Sequence, residues 1–314
     1  MIKNFLLTVG SCTLFFVCCS NEQKNTAENN KKTEQTTPKT GVMKSYFLNH
    51  EIRNVDYEIY INDLLIGQSH DNNGVPGPYK INQYLFSNGK QEVTIKLTAN
   101  KQYQKEITAD LLNQISRNTG IYLLQNKDYG NIQEVKKLEF PKLEKGVPTY
   151  EFKWNFDADA THGITNLNNS EDLAKIDKDE LLKQVSNKYD ELRNMLHTGN
   201  TDQFMKEISK AKNDLFIADG LPESEQQKYN ENLKNYFASH KDLLPDFSSF
   251  TMKVLGHGRA VVLENMDHNK GMGVLTAEDK QQGLLNSNYI ILHKPKGSTS
   301  FEVFRYSSSF SELK

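Results

Sequence analysis

Val55-Asp56-Tyr57-Glu58-Ile59-Tyr60-Ile61-Asn62-Asp63 is the stretch on which the fold turns. Val55, Tyr57, Ile59 and Ile61 alternate with Asp56, Glu58, Tyr60 and Asn62. A period of two sends one set of side chains to one face of a strand and the other set to the opposite face. Asn62-Asp63 then supplies two residues that suit a hairpin turn. Working outward, Val93, Ile95 and Leu97 alternate with Glu92, Thr94 and Lys96. Tyr150, Phe152, Trp154 and Phe156 alternate with Glu151, Lys153 and Asn155, and Ile121 to Leu124 is a further short apolar run. Asp71-Asn72-Asn73-Gly74, Pro76-Gly77-Pro78 and Ser87-Asn88-Gly89 are turn signals between them. The pattern predicts an N-terminal antiparallel β-sandwich over residues 43–160.

Part of this region carries a resemblance. Tyr57 to Asp63 and Ile66-Gly67 lead to Ile81-Asn82-Gln83-Tyr84-Leu85, then to Gly89 and the strand Val93 to Leu97. Residues 55–98 thereby resemble the galactose-binding-like jelly-roll domain of glycoside hydrolases and many surface proteins. Asp63 stands where that family prefers glycine. The physical sense of the pattern is that Tyr84 and Leu85 plug the sandwich while Gly89 permits the chain to reverse. Sugar-contacting loop residues vary in that family, so none is carried over. His70, Asp71, Asn72, Asn73 and Tyr79 form a candidate ligand-binding loop on their polar groups alone, with a plain turn as the alternative.

Residues 161–176 read as a linker, and 177–314 as a helix-then-antiparallel-sheet domain, giving an α+β chain overall. Asp177 with Glu180 three residues later forms a capping box. Leu181, Val185, Tyr189, Leu192 and Leu196 follow at helical spacing, and Gly199 ends the run. Thr201 is the expected cap of a second helix carrying Phe204, Ile208, Ala211 and Leu215. Gly220-Leu221-Pro222 breaks it, and a third helix runs from about Glu223 to Phe237. Strands are expected at Phe250–Leu255 and Ala260–Leu263 around Gly256-His257-Gly258, and at Tyr289–Leu292 and Phe301–Phe304 around Pro295-Lys296-Gly297. In element order alone, 177–306 resembles the nuclear-transport-factor-2-like α+β cone. Lys253, Arg259, Glu264, His293, Glu302 and Arg305 are the polar members of those strands, and solvent is their expected surrounding.

Met1-Ile2-Lys3, an apolar stretch from Phe5 to Val17, and Cys18-Cys19-Ser20-Asn21 look like a bacterial lipoprotein signal. The apolar stretch falls short of the roughly 20 residues that span a bilayer. Cys12 and Cys18 compete with Cys19 for the modified position; Cys19 is favoured because a polar run follows it. The resemblance implies a signal peptide over 1–18, acylated Cys19, and anchoring to a bacterial envelope membrane. Ordinary secretion and a transmembrane anchor are the competing readings. Residues 19–42 are rich in Asn, Lys, Thr, Glu and Gln and predict a disordered tether about 26 Å across as a coil.

No cysteine follows Cys19, which removes disulfides, thiol nucleophiles and cysteine zinc sites from the body. The net charge of -2 with interspersed signs argues against nucleic acid as a partner. Gly-x-Ser-x-Gly, phosphate-loop, dinucleotide and His-Glu-x-x-His patterns are absent. Asp157-Ala158-Asp159-Ala160-Thr161-His162-Gly163 resembles the start of a calcium loop, but its glycine is one place late and Asn168 stands where the bidentate carboxylate belongs. His257 and the Asp267-His268 pair sit at predicted turns. No cofactor, metal or catalytic residue is assigned. The expectation is an anchored, non-catalytic envelope lipoprotein that binds a protein partner, of an immunity type or as a subunit of an envelope complex. Glycan binding through the sandwich and an enzyme pocket in the C-terminal domain are the alternatives.

Overall fold

A type I′-like turn closes the deciding hairpin. Asn62 and Asp63 have φ of 49° and 63°, the left-handed pair that matches the twist of the strands on either side. The computed structural model describes residues 43–70, 76–267 and 269–313. Cys12, Cys18, Cys19, the signal and the tether lie outside the described residues, as do Asp71, Asn72, Asn73 and His268.

In chain order the first half runs β1 (Lys44–Asn49), β2 (Val55–Ile61), β3 (Leu64–Ser69), β4 (Tyr79–Lys80), β5 (Gly89–Ala99), α1 (Ala109–Arg117), β6 (Gly120–Gln125), β7 (Ile132–Lys137) and β8 (Thr149–Ala158). Its strands form two antiparallel sheets, β4-β1-β6-β7 and β3-β2-β5-β8. Tyr46, Leu48, Ile121 and Leu123 of the first sheet share one apolar cluster with Tyr57, Ile59, Ile61, Val93, Ile95 and Leu97 of the second. That is an antiparallel sandwich, and Tyr84 and Leu85 are buried within its core. Gly89, with φ of 96°, starts β5 in a conformation that L side chains avoid. Helix α1, capped by Thr108, closes the sandwich with Leu111, Leu112 and Ile115.

The second half runs α2 (Lys178–His197), α3 (Thr201–Glu207), α4 (Ser209–Asp219), α5 (Glu223–Ala238), β9 (Phe250–Leu255), β10 (Ala260–Asn265), β11 (Leu275–Asp279), β12 (Leu284–His293) and β13 (Glu302–Glu312). Asp177 accepts from the backbone N–H groups of Asp179 and Glu180, so α2 starts at the expected cap. The expected second helix is two: α3 and α4 meet at Ile208, which keeps the apolar stripe continuous across the break. Asn200, not Thr201, occupies the cap position of α3; Thr201 is its first residue and is buried. Strands β9 to β13 form a third antiparallel sheet in which β12 pairs β13 along its whole length.

Period two decides how this third sheet is placed. Val261, Leu263, Ile290, Leu292 and Val303 join the stripes of α2, α3 and α5 in one cluster. Their neighbours Ala260, Val262, Ile291 and Phe304 join the sandwich cluster. The third sheet is therefore buried on both faces, as its near-continuous apolar strands require. Residues 161–176 thread through this packing: Leu173 N–H donates to the Gly258 carbonyl at 2.7 Å, and Glu171 N–H to the Lys294 carbonyl at 2.8 Å.

Candidate functional site

The structure separates the two described members of the expected ligand loop. His70 follows β3 and sits beside Gln68, whose side-chain amide donates to the Gly271 carbonyl. Tyr79 lies over Gly67, where a side chain would have no room, and its ring centroid is 5.0 Å from that of His50. Gly67 and Gln68, neighbours on β3, thus turn toward Tyr79 and His70 on opposite faces of the strand. Asp159 of the calcium-like segment is engaged by Lys44. Among the described residues no group of three or more His, Cys, Asp or Glu could hold a metal ion.

The polar members of the C-terminal strands were expected in solvent, and this is corrected: none of the six is fully exposed, and Arg259 and Glu302 are half-buried. Glu264, His293 and Arg305 are buried, and Lys253 is half-buried. Strand pleating puts Lys253 and Glu264 on the same face of the β9–β10 pair, turned toward β2. Lys253 Nζ lies 2.7 Å from Glu264 Oε2 and 2.7 Å from Glu58 Oε1. Tyr289 donates to Glu264 Oε1 at 2.6 Å. A cleft of about 310 Å³ opens beside this group, lined also by Tyr60, Asp63 and Lys96. Burial acts to lower the Lys253 ammonium, but the charges and hydrogen bonds of Glu264 and Glu58 outweigh it and raise it. Burial acts to raise the Glu58 carboxyl, and Lys253 outweighs that and holds it low. Both groups therefore keep their charge through neutral pH, where a general acid or base would exchange a proton. Burial, aided by Glu264, pushes the Tyr289 phenol well up, so it remains a donor.

A second cluster has the look of a nucleophile. Ser170 Oγ is 2.7 Å from His293 Nδ1, and His293 Nε2 is 3.9 Å from Glu302 Oε2. A serine, a histidine and a carboxylate in line form the arrangement of a hydrolytic triad. Here Ser170 is 0% exposed, which denies its hydroxyl any approach by substrate. Burial lowers His293 to about 4, leaving it neutral. The Ser170 carbonyl accepts from Arg259 Nη1 at 2.6 Å. These bonds fasten the 161–176 segment to β12 and the β9–β10 turn.

The outer face of the first sheet is different in kind. Phe47 pairs with Tyr122, and Leu124 with Ile132, on the side away from the sandwich cluster. Phe47 and Tyr122 are half-buried and Leu124 is buried, whereas Ile132 is 56% exposed and Tyr129 in the β6–β7 turn is 67% exposed. Glu134 lies opposite Tyr122. Lys80, opposite Phe47, reaches Asp219 at the end of α4 at 2.8 Å. An aromatic and aliphatic centre with a charged margin is the composition of a recognition surface. No signal in the sequence had marked β1 or β7 as strands, so this face was not foreseen.

No family model, no curated protein and no solved structure matches this chain.

Proposed function

We propose that the chain is a lipid-anchored binding module of a bacterial envelope, held through acylated Cys19, whose body docks a protein partner. The observation that carries this reading is the outer face of the first sheet, where Phe47, Tyr122 and Ile132 lie outside the apolar clusters, with exposed Tyr129 in the adjoining β6–β7 turn. Aromatic and branched apolar side chains with a charged margin are what protein hot spots are made of. Pairing elsewhere supports it: Lys253 is held between Glu58 and Glu264, and Ser170 is sealed. Chain order also supports it, since β1 begins directly after the 19–42 segment and carries Phe47 into this face.

The test is crosslinking of the full-length protein in envelope membranes, followed by measurement of saturable binding to the captured partner. Ile132→Asp with Tyr129→Ser is expected to abolish binding while leaving the thermal midpoint unchanged. Saturable binding that ignores both substitutions, or turnover of a substrate by a body with no saturable partner, overturns the reading. The anchor has its own readout: palmitate incorporation lost in Cys19→Ala and kept in Cys12→Ala and Cys18→Ala.

A further inference from the structure

A cleft of about 510 Å³ lies where the β12–β13 turn, residues 171–176 and the β9–β10 turn meet. Its wall carries Lys175, Arg259, Lys294 and Lys296 against Glu171 and Asp172. Among the described residues, only Lys175 of the four cations has an ion pair, with Asp172 at 3.3 Å. Two of the unpaired cations are held in place by neutral partners. Arg259 Nη1 donates to the Ser170 carbonyl at 2.6 Å, which leaves the rest of its guanidinium fork open. Lys294 Nζ donates to Gln184 Oε1 at 3.2 Å and lies 5.8 Å from the Phe301 ring centroid. Lys296 is exposed, and its ammonium makes no hydrogen bond or ion pair among the described residues.

We infer that this cleft binds a small sugar carrying a phosphate or sulfate ester. A fixed guanidinium beside ammonium groups is the recognition chemistry of a tetrahedral oxyanion. The carboxylates argue for a hydroxylated carrier, since a bare oxyanion would meet them only as repulsion. Glu171 Oε1 is taken by the Gly297 N–H at 2.9 Å, and its second oxygen is left to accept a sugar hydroxyl. Ile176 is the one apolar side chain of the wall, and no aromatic ring lines it. That disfavours a nucleobase, which stacks, and an acyl chain, which needs apolar surface. The volume falls in the range of small-molecule sites. This inference is independent of the docking face, which belongs to a different sheet.

Calorimetric titration of the full-length protein in detergent tests it, with glucose 6-phosphate, glucose 6-sulfate, glucose and a tetraglutamate peptide as probes. Saturable binding of at least one ester, weakened by added salt, is expected, and the better ester names the group. Arg259→Met should weaken it roughly tenfold, the worth of one charge-assisted hydrogen bond. Lys296→Gln, at an exposed side chain without a partner, should weaken it severalfold with an unchanged melt, and so decides the matter if Arg259→Met fails to fold. Lys153→Gln, on β8, should leave it unchanged. No saturable binding of either ester, equal binding of glucose, equal binding of the peptide, or indifference to Lys296→Gln would each overturn the inference.

Discussion

Arg305 Nη1 lies 2.8 Å from Asp214 Oδ2, with Arg305 only 1% exposed. Arg305 also donates to the Gln83 carbonyl through Nε at 3.0 Å and Nη2 at 2.8 Å, and its guanidinium is 4.1 Å from the Phe304 ring centroid. Asp214 accepts the Thr165 N–H at 3.0 Å. One ion pair thereby joins β13, α4, the 161–176 segment and the turn before β5. Removing one member strands the other charge in a dry site, a loss of about 3–5 kcal/mol. Asp214→Ala and Arg305→Met are each expected to lower the urea midpoint sharply, and Arg305→Met with Asp214→Leu to recover part of the loss. Additive losses in the double variant would refute the coupling.

Glu58, Lys253 and Glu264 make a second coupled set. Lys253→Met leaves two carboxylates facing each other, one of them 2% exposed. A loss of about 2–4 kcal/mol is expected, by the same cost of an uncompensated charge. Lys253→Met with Glu264→Gln should cost less than Lys253→Met alone. Equilibrium unfolding of the three proteins decides this.

Buried histidines are expected to make the body acid-labile. Burial lowers His50, His240 and His293 to about 4, against an ordinary value of 6.5. Between those values the unfolded chain binds the protons and the folded chain does not. The stabilisation is therefore complete above about pH 6.5 and is lost as pH falls toward 4, by up to about 3 kcal/mol for each histidine. Urea midpoints at pH 7, 5.5 and 4.5 should fall steadily, and His240→Gln should flatten the slope. A midpoint that holds level from pH 7 to 4.5 contradicts this.

Asn62 carries more than its turn. Its side chain donates to the Tyr84 carbonyl and to Gln91 Oε1, both at 2.8 Å, and accepts the Glu92 N–H at 3.0 Å. Asn62→Ala loses all three bonds and adds a strained left-handed alanine. The expected cost is about 2–3 kcal/mol in equilibrium unfolding. Asn62→Asp, which can keep the Glu92 bond, should cost less.

What could be read from the sequence was whatever has a local period. Alternation marked β2, β5 and β8, and the spacing from Leu181 to Leu196 marked α2, because each of these elements sends its apolar side chains to one side and mostly polar ones to the other, whether that second side meets solvent, as on β8 and α2, or the third sheet, as at Glu58 of β2. Strand β1 escaped because Phe47 stands outward between inward Tyr46 and Leu48, which erases the alternation. Strand β7 escaped because its side chains are mostly exposed, and α1 because nine residues give little more than two turns. The break between α3 and α4 was hidden by a stripe that runs through it. The charged clusters had no local signature at all: Lys253 is 195 residues from Glu58, and Arg305 is 91 from Asp214. Only tertiary folding brings such groups together, so a strand charge read in isolation defaults to solvent.

The position of β1 has a mechanical consequence. It is an interior strand, flanked by β4 and β6, and its whole length from Lys44 to Asn49 is in register with β6. A pull applied to Met43 along the axis of this strand would load β1 lengthwise. The hydrogen bonds to β6 run across that axis and so share the load in shear, whereas a strand peeled from an edge would give them up one at a time. Drawing β1 out lengthwise would therefore need many bonds to fail together.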